Sequence, residues 1–135
     1  MRRNDLTNLV FLSTAQTNKN GMENKQAHFK LQARIEKLFG KENVFYCQGT
    51  YKGVEECSLG VIIKGEEDIE LLEVQAANFK QESILHVDNQ GQGTLIYTKR
   101  RIKLGAVTVT KDEPSIFKEN FTYIPMNESY FWFNK

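Results

Sequence analysis

The sequence predicts an α+β fold of ferredoxin-like β-α-β-β-α-β topology: an antiparallel sheet with two helices on one face, the other face open, and extra C-terminal strands. Three observations predict it. Several short segments alternate with the period of a strand, and two longer segments between them place apolar residues at helical spacing. Their order along the chain matches a split βαβ unit. The 135 residues, 40% hydrophobic and 26% charged, are enough for one globular domain spanning residues 1–135.

The first half of the chain predicts a strand, a helix and two further strands. The segment LTNLVFLSTAQ alternates as a strand does, and a polar break containing Gly21 separates it from the helix MENKQAHFKLQARIEKLFG. Gly40 ends that helix and suits a C-terminal cap. The segments NVFYCQGTY and CSLGVIIK follow as strands, and the second is apolar on both faces. The apolar stripe of the helix consists of Ala27, Leu31, Ile35 and Leu38.

The second half of the chain repeats this pattern. EEDIELLEVQAANFKQ predicts a helix whose first turn is acidic, where negative charge suits the helix dipole. ESILHVDNQGQGTLIYTKR predicts a hairpin, and IKLGAVTVT predicts one further strand. The C-terminal extension, about residues 111–135, is less regular, but its seven aromatic residues predict that it packs on the sheet or on a neighbouring subunit. The apolar stripe of the second helix consists of Ile69, Leu72, Ala76 and Phe79.

Composition and motifs disfavour several classes of function. The net charge of +1 gives no overall basic field for nucleic acid, and the basic cluster at residues 99–101 predicts a local solvated turn. No segment has the apolar length of a signal peptide or a membrane span, so we expect a cytoplasmic protein with no membrane partner. Cys47 and Cys57 lack CxxC spacing, and His28 (expected on the exposed face of its helix) and His86 lack a second ligand, so we expect no metal.

The candidate site lies in GTYKGVEECSLGV, residues 49–61, where Tyr51 stands between two glycines and Glu55 and Glu56 enter an apolar strand. Neighbouring residues of a strand belong to opposite faces, so the two acids are not expected to share a proton as an acid/base pair. A carboxylate near Tyr51, above a gap left by Gly60, suits a cationic small molecule. A solvated turn is the alternative interpretation of the two acids.

Six short segments between about Leu9 and Lys99 carry a family resemblance. VFLSTAQT ends a first strand in small polar residues, and KQAHFKLQARI has a histidine near the start of a helix. GTYKG is a Gly-x-Tyr loop, and EECSLGVII is a Glu-Glu pair leading into a strand. ANFKQESILHV places an aromatic residue, a Gln and an acid before a strand, and GTLIYTKR reads Gly-x-Leu-x-Tyr-x-Lys. In this order the segments resemble the S-adenosylmethionine (SAM) lyases of bacteriophages, long called SAM hydrolases, although the loop after the tyrosine is several residues shorter here.

The resemblance implies a homotrimer that binds SAM between subunits and needs no cofactor. The substrate's own carboxylate would attack its γ-carbon and expel methylthioadenosine, leaving homoserine lactone. A bacteriophage would deplete host SAM in this way as a counter-defence. The resemblance gives Glu56 and Glu55 the task of holding the sulfonium or the ammonium group, with Tyr51 as a wall of the site. The further substrate-binding candidates are Gln81, Glu82, Ser13, Thr14 and Phe79.

Other interpretations of these residues and of the function stay open. Gln81 and Glu82 also suit a helix cap and a solvated strand start, and Phe79 also suits the core because it lies on a helix stripe. The shorter tyrosine loop also resembles a family of uncharacterised bacterial domains. A non-catalytic phage domain that binds a small molecule or a host protein is the main alternative function. A nucleic-acid module using residues 99–101 is disfavoured by the nearly neutral charge.

Overall fold

A computed structural model of the chain describes residues 8–13, 21–51, 54–79, 83–97, 100–111, 121–124 and 128–133. Within these ranges the chain forms nine strands, two α-helices and one 3₁₀ turn, and neither helix is long and apolar enough to cross a membrane. The helices are α1 (Gly21–Phe39) and α2 (Glu66–Asn78), and the 3₁₀ turn is Lys41–Asn43. The strands are β1 (Leu9–Ser13), β2 (Val44–Tyr51), β3 (Val54–Ile62), β4 (Ser83–Val87), β5 (Gln92–Tyr97), β6 (Arg100–Ala106), β7 (Thr108–Thr110), β8 (Phe121–Ile124) and β9 (Ser129–Trp132).

The nine strands form one sheet in the order β6-β5-β4-β1-β3-β2-β8-β9-β7, and every neighbouring pair is antiparallel. The elements from β1 to β4 follow the expected order, with β1 and β3 adjacent near the centre of the sheet. The prediction of a ferredoxin-like α+β fold is nevertheless wrong. The sheet continues beyond β2 through β8, β9 and β7, and it curls into a nearly closed barrel-like structure.

The sheet curls into a nearly closed structure because its two edge strands are consecutive in the chain. β6 ends at Ala106 and β7 begins at Thr108, so only Val107 joins one edge to the other. The edges of a flat sheet of this size would lie roughly 40 Å apart at about 4.8 Å per strand, which one linking residue cannot span. The Val107 N–H also donates to the Gly91 carbonyl oxygen at 2.7 Å, which fastens this corner just before β5.

The second face of the sheet is the inside of the curled structure, and it is buried. Phe11 of β1 and Phe131 of β9 meet there edge to face, with ring centroids 6.0 Å apart, although three strands separate them in the sheet order. The expectation of an open face is therefore wrong. We call this interior cluster the barrel core. Its buried members are Leu9, Phe11, Phe45, Cys47, Val87, Ile124 and Phe131.

The first face of the sheet packs against the two helices, and we call that cluster the helix-side core. Residues of β3 alternate between the two cores: Leu59 and Val61 belong to the helix-side core, while Ile62 packs on the barrel core. This confirms that β3 is apolar on both faces. The buried members of the helix-side core are Val10, Leu12, Leu31, Ile35, Leu59, Val61, Ile63, Ile69, Leu72, Ala76, Ile84 and Ile96.

The helix stripes are largely as predicted. Leu38 of α1 is the exception: it is exposed, and its neighbour Phe39 packs on the helix-side core instead. Gly40 has a φ of 89°, and its N–H donates to the Glu36 carbonyl oxygen at 2.8 Å, which confirms its role as a C-terminal cap. The buried stripe residues are Leu31, Ile35, Ile69, Leu72 and Ala76.

The basic cluster at residues 99–101 is not the turn that the sequence predicts, because Arg100 and Arg101 begin β6 (Lys99 lies outside the described residues). The Arg101 guanidinium donates to Glu66 at 2.7 Å and to Glu73 at 3.5 Å, both on α2. The hydrogen bond that Arg101 donates to Glu66 raises the pKa of Arg101, although these groups are well exposed. The pair therefore ties α2 to an edge strand and contributes modestly to stability.

Candidate functional site

The strands that carry or flank the predicted site residues finish or begin at one end of the sheet, which we call the site end. β1 ends there at Ser13 and β2 at Tyr51, while β3 and β4 begin there at Val54 and Ser83. The antiparallel pairing of β1 with both β3 and β4 produces this arrangement, and in the β1–β3 register Ser13 lies opposite Ser58. These segments are distant in sequence, and they carry or flank the predicted site residues. The topology thus brings their ends to one place.

The β2–β3 hairpin carries the residues predicted to act on the substrate. In its register Glu56 lies opposite Gly49, and Glu55 lies opposite Thr50, one position nearer the hairpin turn. Both acids are in regular strand, where successive positions belong to opposite faces of the sheet. The side chains of Tyr51, Glu55 and Glu56 lie outside the described part of the structure, so their roles stay predictions.

The remaining predicted site residues flank the strands of the site end. Ser13 is the last residue of β1, and its side chain is outside the described part of the structure. Thr14 follows it, and Gln81 and Glu82 immediately precede β4; all three lie outside the described residues. The structure adds to these predictions only that the residues are next in the chain to strand ends that lie at the site end.

Phe79 follows the last residue of α2, whose C-terminus leads toward the start of β4. Its N–H donates to the carbonyl oxygens of Gln75 and Ala76, so its backbone caps the helix. Its half-buried ring packs against the helix-side core. This position suits the core interpretation of Phe79, and its role in substrate binding stays a prediction.

The barrel side of the sheet changes from apolar to polar toward the site end. The ring of Phe45 lies over Gly60, so close that a Cβ there would come within 2.3 Å of a ring carbon. The gap expected at Gly60 is therefore filled, and no ligand can approach there. Ser58, the next residue of β3 on this face, lies opposite Cys47 of the barrel core and is 6% exposed. Beyond Ser58 comes the position of Glu56, so polar positions stand above an aromatic floor, as in ligand sites at barrel mouths.

A cluster on the helix side of the same hairpin consists of His28 of α1, Tyr46 of β2 and Cys57 of β3. The Tyr46 hydroxyl donates to Cys57 Sγ at 3.9 Å. The rings of His28 and Tyr46 meet edge to face, with centroids 5.9 Å apart. Burial raises the pKa of the Tyr46 phenol above its ordinary value, and the hydroxyl is a donor at neutral pH.

His28 was expected on the exposed face of α1, and that expectation is wrong, because its side chain is only 5% exposed. Burial lowers its pKa, although a hydrogen bond with Gln32 opposes the shift. The sequence carried a signal for this burial. His28 lies three and seven residues before Leu31 and Ile35, which is the spacing of one helix face.

An aromatic–cation pair also lies at the site end. Tyr97 ends β5 opposite Ser83, and Arg100 begins β6 opposite Tyr97. The Arg100 guanidinium carbon lies 4.8 Å from the centroid of the Tyr97 ring, which is a cation–π contact. Tyr97 belongs to the GTLIYTKR segment, but its pairing with Arg100 was not predicted, because it depends on the register of β5 and β6.

These observations define a class of protein: a small protein with a nearly closed antiparallel sheet, to whose site end belong the strand positions of Ser13, Glu55 and Glu56. Among the described residues, no group of three or more His, Cys, Asp or Glu side chains is arranged to hold a metal ion. A comparison with protein families matches residues 10–134 to the S-Adenosylmethionine lyase family.

The chain belongs to the S-adenosylmethionine lyase family, which confirms the resemblance carried by the six sequence segments. The family's description makes SAM the implied substrate and a lyase the implied class of enzyme. A comparison with curated proteins finds no match to this chain.

Proposed function

We propose that this protein cleaves SAM into methylthioadenosine and homoserine lactone. The observation that carries the proposal is the family match over residues 10–134, nearly the whole chain. The pairing of β1 and β2 with β3 supports it, because it brings Ser13 and the β2–β3 hairpin to one end of the sheet, where one small substrate could contact both. In the bacteriophage setting that the sequence resemblance implies, the reaction would deplete SAM in the host cytoplasm as a counter-defence.

The reaction is an intramolecular displacement that needs no cofactor. A carboxylate oxygen of SAM forms a bond to the γ-carbon, the bond between that carbon and sulfur breaks, and its electron pair stays on sulfur. The sulfonium becomes the neutral thioether of methylthioadenosine, the remainder closes to homoserine lactone, and no proton moves. The enzyme's task is to fold the methionine chain, and well-oriented intramolecular reactions reach effective molarities of about 10⁵–10⁸ M.

The acids of the hairpin then serve as counter-charges. The sulfonium loses its charge in the reaction, so a carboxylate held against sulfur would stabilise the substrate more than the transition state. The ammonium keeps its charge throughout, so a carboxylate bound to it anchors the substrate without slowing the displacement. We assign this task to Glu56, which occupies the position next to Ser58 on the barrel face of β3. Glu55 belongs to the other face of β3. It either supplies a second counter-charge from the helix side or lies in solvent where the strand begins.

The other candidates complete the site between subunits of a homotrimer. Tyr51 forms a wall, and backbone groups at Ser13 and Thr14 contact the substrate. Gln81 and Glu82 hydrogen-bond its polar groups from a neighbouring subunit. Exposed apolar side chains on both helices support a subunit contact, since such residues are costly in water. They include Met22 (73% exposed), Phe29 (56%) and Val74 (54%).

The direct test is to incubate the purified protein with SAM and to quantify methylthioadenosine and homoserine lactone by mass spectrometry. We expect equal amounts of the two products early in the reaction. In H₂¹⁸O the lactone formed at early times should carry no ¹⁸O, because water takes no part in the displacement. Methylthioadenosine accompanied from the first time point by ¹⁸O-labelled homoserine would contradict the intramolecular step, and no cleavage at all would contradict the proposed function.

Isosteric variants of the two acids test their roles. Glu56→Gln should lower kcat/KM by about ten- to a hundredfold, the value of a hydrogen bond to a charged group, with most of the loss in KM. Glu55→Gln is the matched control and should change kcat/KM less. A larger loss in Glu55→Gln would reverse the assignment. Light scattering of the wild-type protein should give three times the monomer mass, and a monomer with full activity would contradict a site between subunits.

A further inference from the structure

Ser58 is a buried polar residue that the packing of the protein does not explain. Its side chain is 6% exposed, and its hydroxyl has no hydrogen-bond partner among the side chains that the structure describes, which do not include that of Ser13 directly opposite. A buried hydroxyl without a partner destabilises a folded protein, and nearly all buried polar groups in native proteins have one. An alanine or a valine would fill this strand position without that cost. The hydroxyl therefore requires another explanation.

The surroundings of Ser58 restrict the direction from which a partner can come. In β3 it lies between two paired strands, opposite Ser13 of β1 and opposite Cys47 of β2. Cross-strand pairs share a face of the sheet, and Cys47 belongs to the barrel core, so Ser58 faces the barrel interior. Toward the middle of the barrel the next position on this face is Gly60, which the ring of Phe45 covers. A polar group can therefore reach the hydroxyl from the site end, where Ser13 also lies, and not from the middle of the barrel.

We propose that Ser58 is a substrate-binding residue whose hydroxyl oxygen accepts a hydrogen bond from the α-ammonium group of SAM. The inference rests on the proposed function, because it takes the ligand of the site end to be SAM. The position of Glu56 follows Ser58 on the same face of β3, about 7 Å along the strand. The two positions can thus bracket one ammonium group, which has three N–H donors to distribute.

The chemistry of the displacement favours the ammonium over the carboxylate as the partner of Ser58. A hydroxyl that donates to the attacking carboxylate would stabilise its negative charge and weaken it as a nucleophile. That interaction would be stronger in the substrate than in the transition state, where the charge is spent. A hydroxyl that accepts a hydrogen bond from the ammonium does not slow the displacement, because the ammonium keeps its charge. Ser58 therefore contributes to binding and orientation more than to the chemical step.

The test uses two nucleosides that the displacement does not consume. S-adenosylhomocysteine carries the ammonium and the carboxylate of SAM, whereas methylthioadenosine lacks both. Calorimetry on the full chain should show that Ser58→Ala lowers the affinity for S-adenosylhomocysteine about ten- to a hundredfold. The affinity for methylthioadenosine should be unchanged. In turnover with SAM the same variant should raise KM by a similar factor and change kcat little. Equal affinity of wild type and Ser58→Ala for S-adenosylhomocysteine would overturn the inference.

A stability measurement separates binding from a structural role. Ser58→Ala should unfold at the same or a higher urea concentration than the wild type, because it removes an unpartnered hydroxyl. Cys47→Ala is the matched control, since it shortens the side chain directly opposite in the register. It should lower stability and leave the affinity for S-adenosylhomocysteine unchanged. A Ser58→Ala variant that is less stable than the wild type, with the affinity unaltered, would make Ser58 a structural residue and overturn the proposal.

The outcomes distinguish this inference from the proposed function. If the wild type binds S-adenosylhomocysteine through Ser58 but does not cleave SAM, the binding role stands and the proposed reaction fails. If the wild type cleaves SAM while Ser58→Ala binds and turns over like the wild type, the reaction stands and the role of Ser58 fails. If the wild type binds neither nucleoside and leaves SAM intact, both fail.

Discussion

The ring of Phe133 lies over Gly93, so close that a Cβ at position 93 would come within 2.3 Å of two ring carbons. Gly93 belongs to β5, and Phe133 follows the last residue of β9. Five strands separate β5 from β9 in the sheet order, so this contact exists only because the sheet curls on itself. Phe133 also packs on the barrel core, and it therefore connects the closure of the sheet with the filling of its interior.

Gly93→Ala should lower the free energy of unfolding by about 1–3 kcal/mol, the usual cost of overpacking, because the new methyl group and the Phe133 ring cannot occupy the same space. Urea unfolding followed by circular dichroism measures the change. The matched background is Phe133→Leu, in which the ring is absent. There the cost of Gly93→Ala should shrink, and a cost equal in both backgrounds would mean that the two residues do not touch.

The closure of the sheet is the part of the fold that could not be predicted from the sequence. Period-two alternation tells which residues share a face, but it does not tell which strand lies beside which. The segment IKLGAVTVT reads as one strand, and the structure divides it into β6 and β7. Gly105, with a φ of 83°, marks the irregular pairing that precedes the division. The partners of this segment, β5 and β9, are set by contacts far apart in sequence.

Features that depend only on neighbouring residues were predicted better than the closure of the sheet. Gly40 after an apolar helix stripe predicted a cap correctly, because capping depends on the backbone of one residue. Strand alternation at Glu55 and Glu56 was also predictable from their neighbours in β3. The burial of Ser58 could not be predicted from the sequence, because it depends on the Phe45 ring and on the interior of the curled sheet behind that ring. Residues whose environment is made by distant strands were missed for this reason.

The two cysteines should differ sharply in reactivity. Cys47 has no exposed surface in the barrel core, and burial raises the pKa of its thiol well above the ordinary value. Cys57 is exposed beside the Tyr46 hydroxyl. Because the thiolate is the reactive form, a disulfide reagent such as DTNB should modify one thiol per native chain quickly. The second should react only on unfolding.

Single substitutions assign the two thiols. Cys57→Ser should abolish the fast reaction with DTNB, and Cys47→Ser should leave it intact. Two fast thiols in the native wild type would show that the barrel interior is open to solutes. That result would also remove the basis for treating the position of Ser58, opposite Cys47, as reachable from the site end and not from the middle of the barrel.

Gln75 of α2 is a second buried polar side chain whose removal should stabilise the protein. It is 4% exposed, and within the described ranges its amide has no hydrogen-bond partner. Methionine has a similar length and no comparable need for hydrogen bonds. Gln75→Met should therefore raise the free energy of unfolding by about 1 kcal/mol or more. Gln75→Glu, of equal size, should lower it, and a loss of stability in Gln75→Met would mean that the amide has a partner in solution.

The two histidines should make stability depend on pH. Burial lowers the pKa of His28 below the ordinary value of 6.5, and burial also lowers that of His86, against the opposing charges of Asp88 and Glu66. The unfolded chain therefore binds protons at a higher pH than the folded protein does. Their contribution to stability is fully present above about pH 6.5 and is lost as the pH falls through the lower, folded pKa values.

Urea unfolding at pH 7.5 and at pH 5.5 measures this dependence, and the wild type should be less stable at pH 5.5. His28→Gln keeps a polar side chain that does not titrate, so it should reduce the difference between the two pH values even if it lowers stability at both. His86→Gln is the paired variant, and the double variant should show the smallest difference. Each proton contributes at most about 1.4 kcal/mol per pH unit. A wild-type difference retained in the double variant would assign the pH dependence to carboxylates instead.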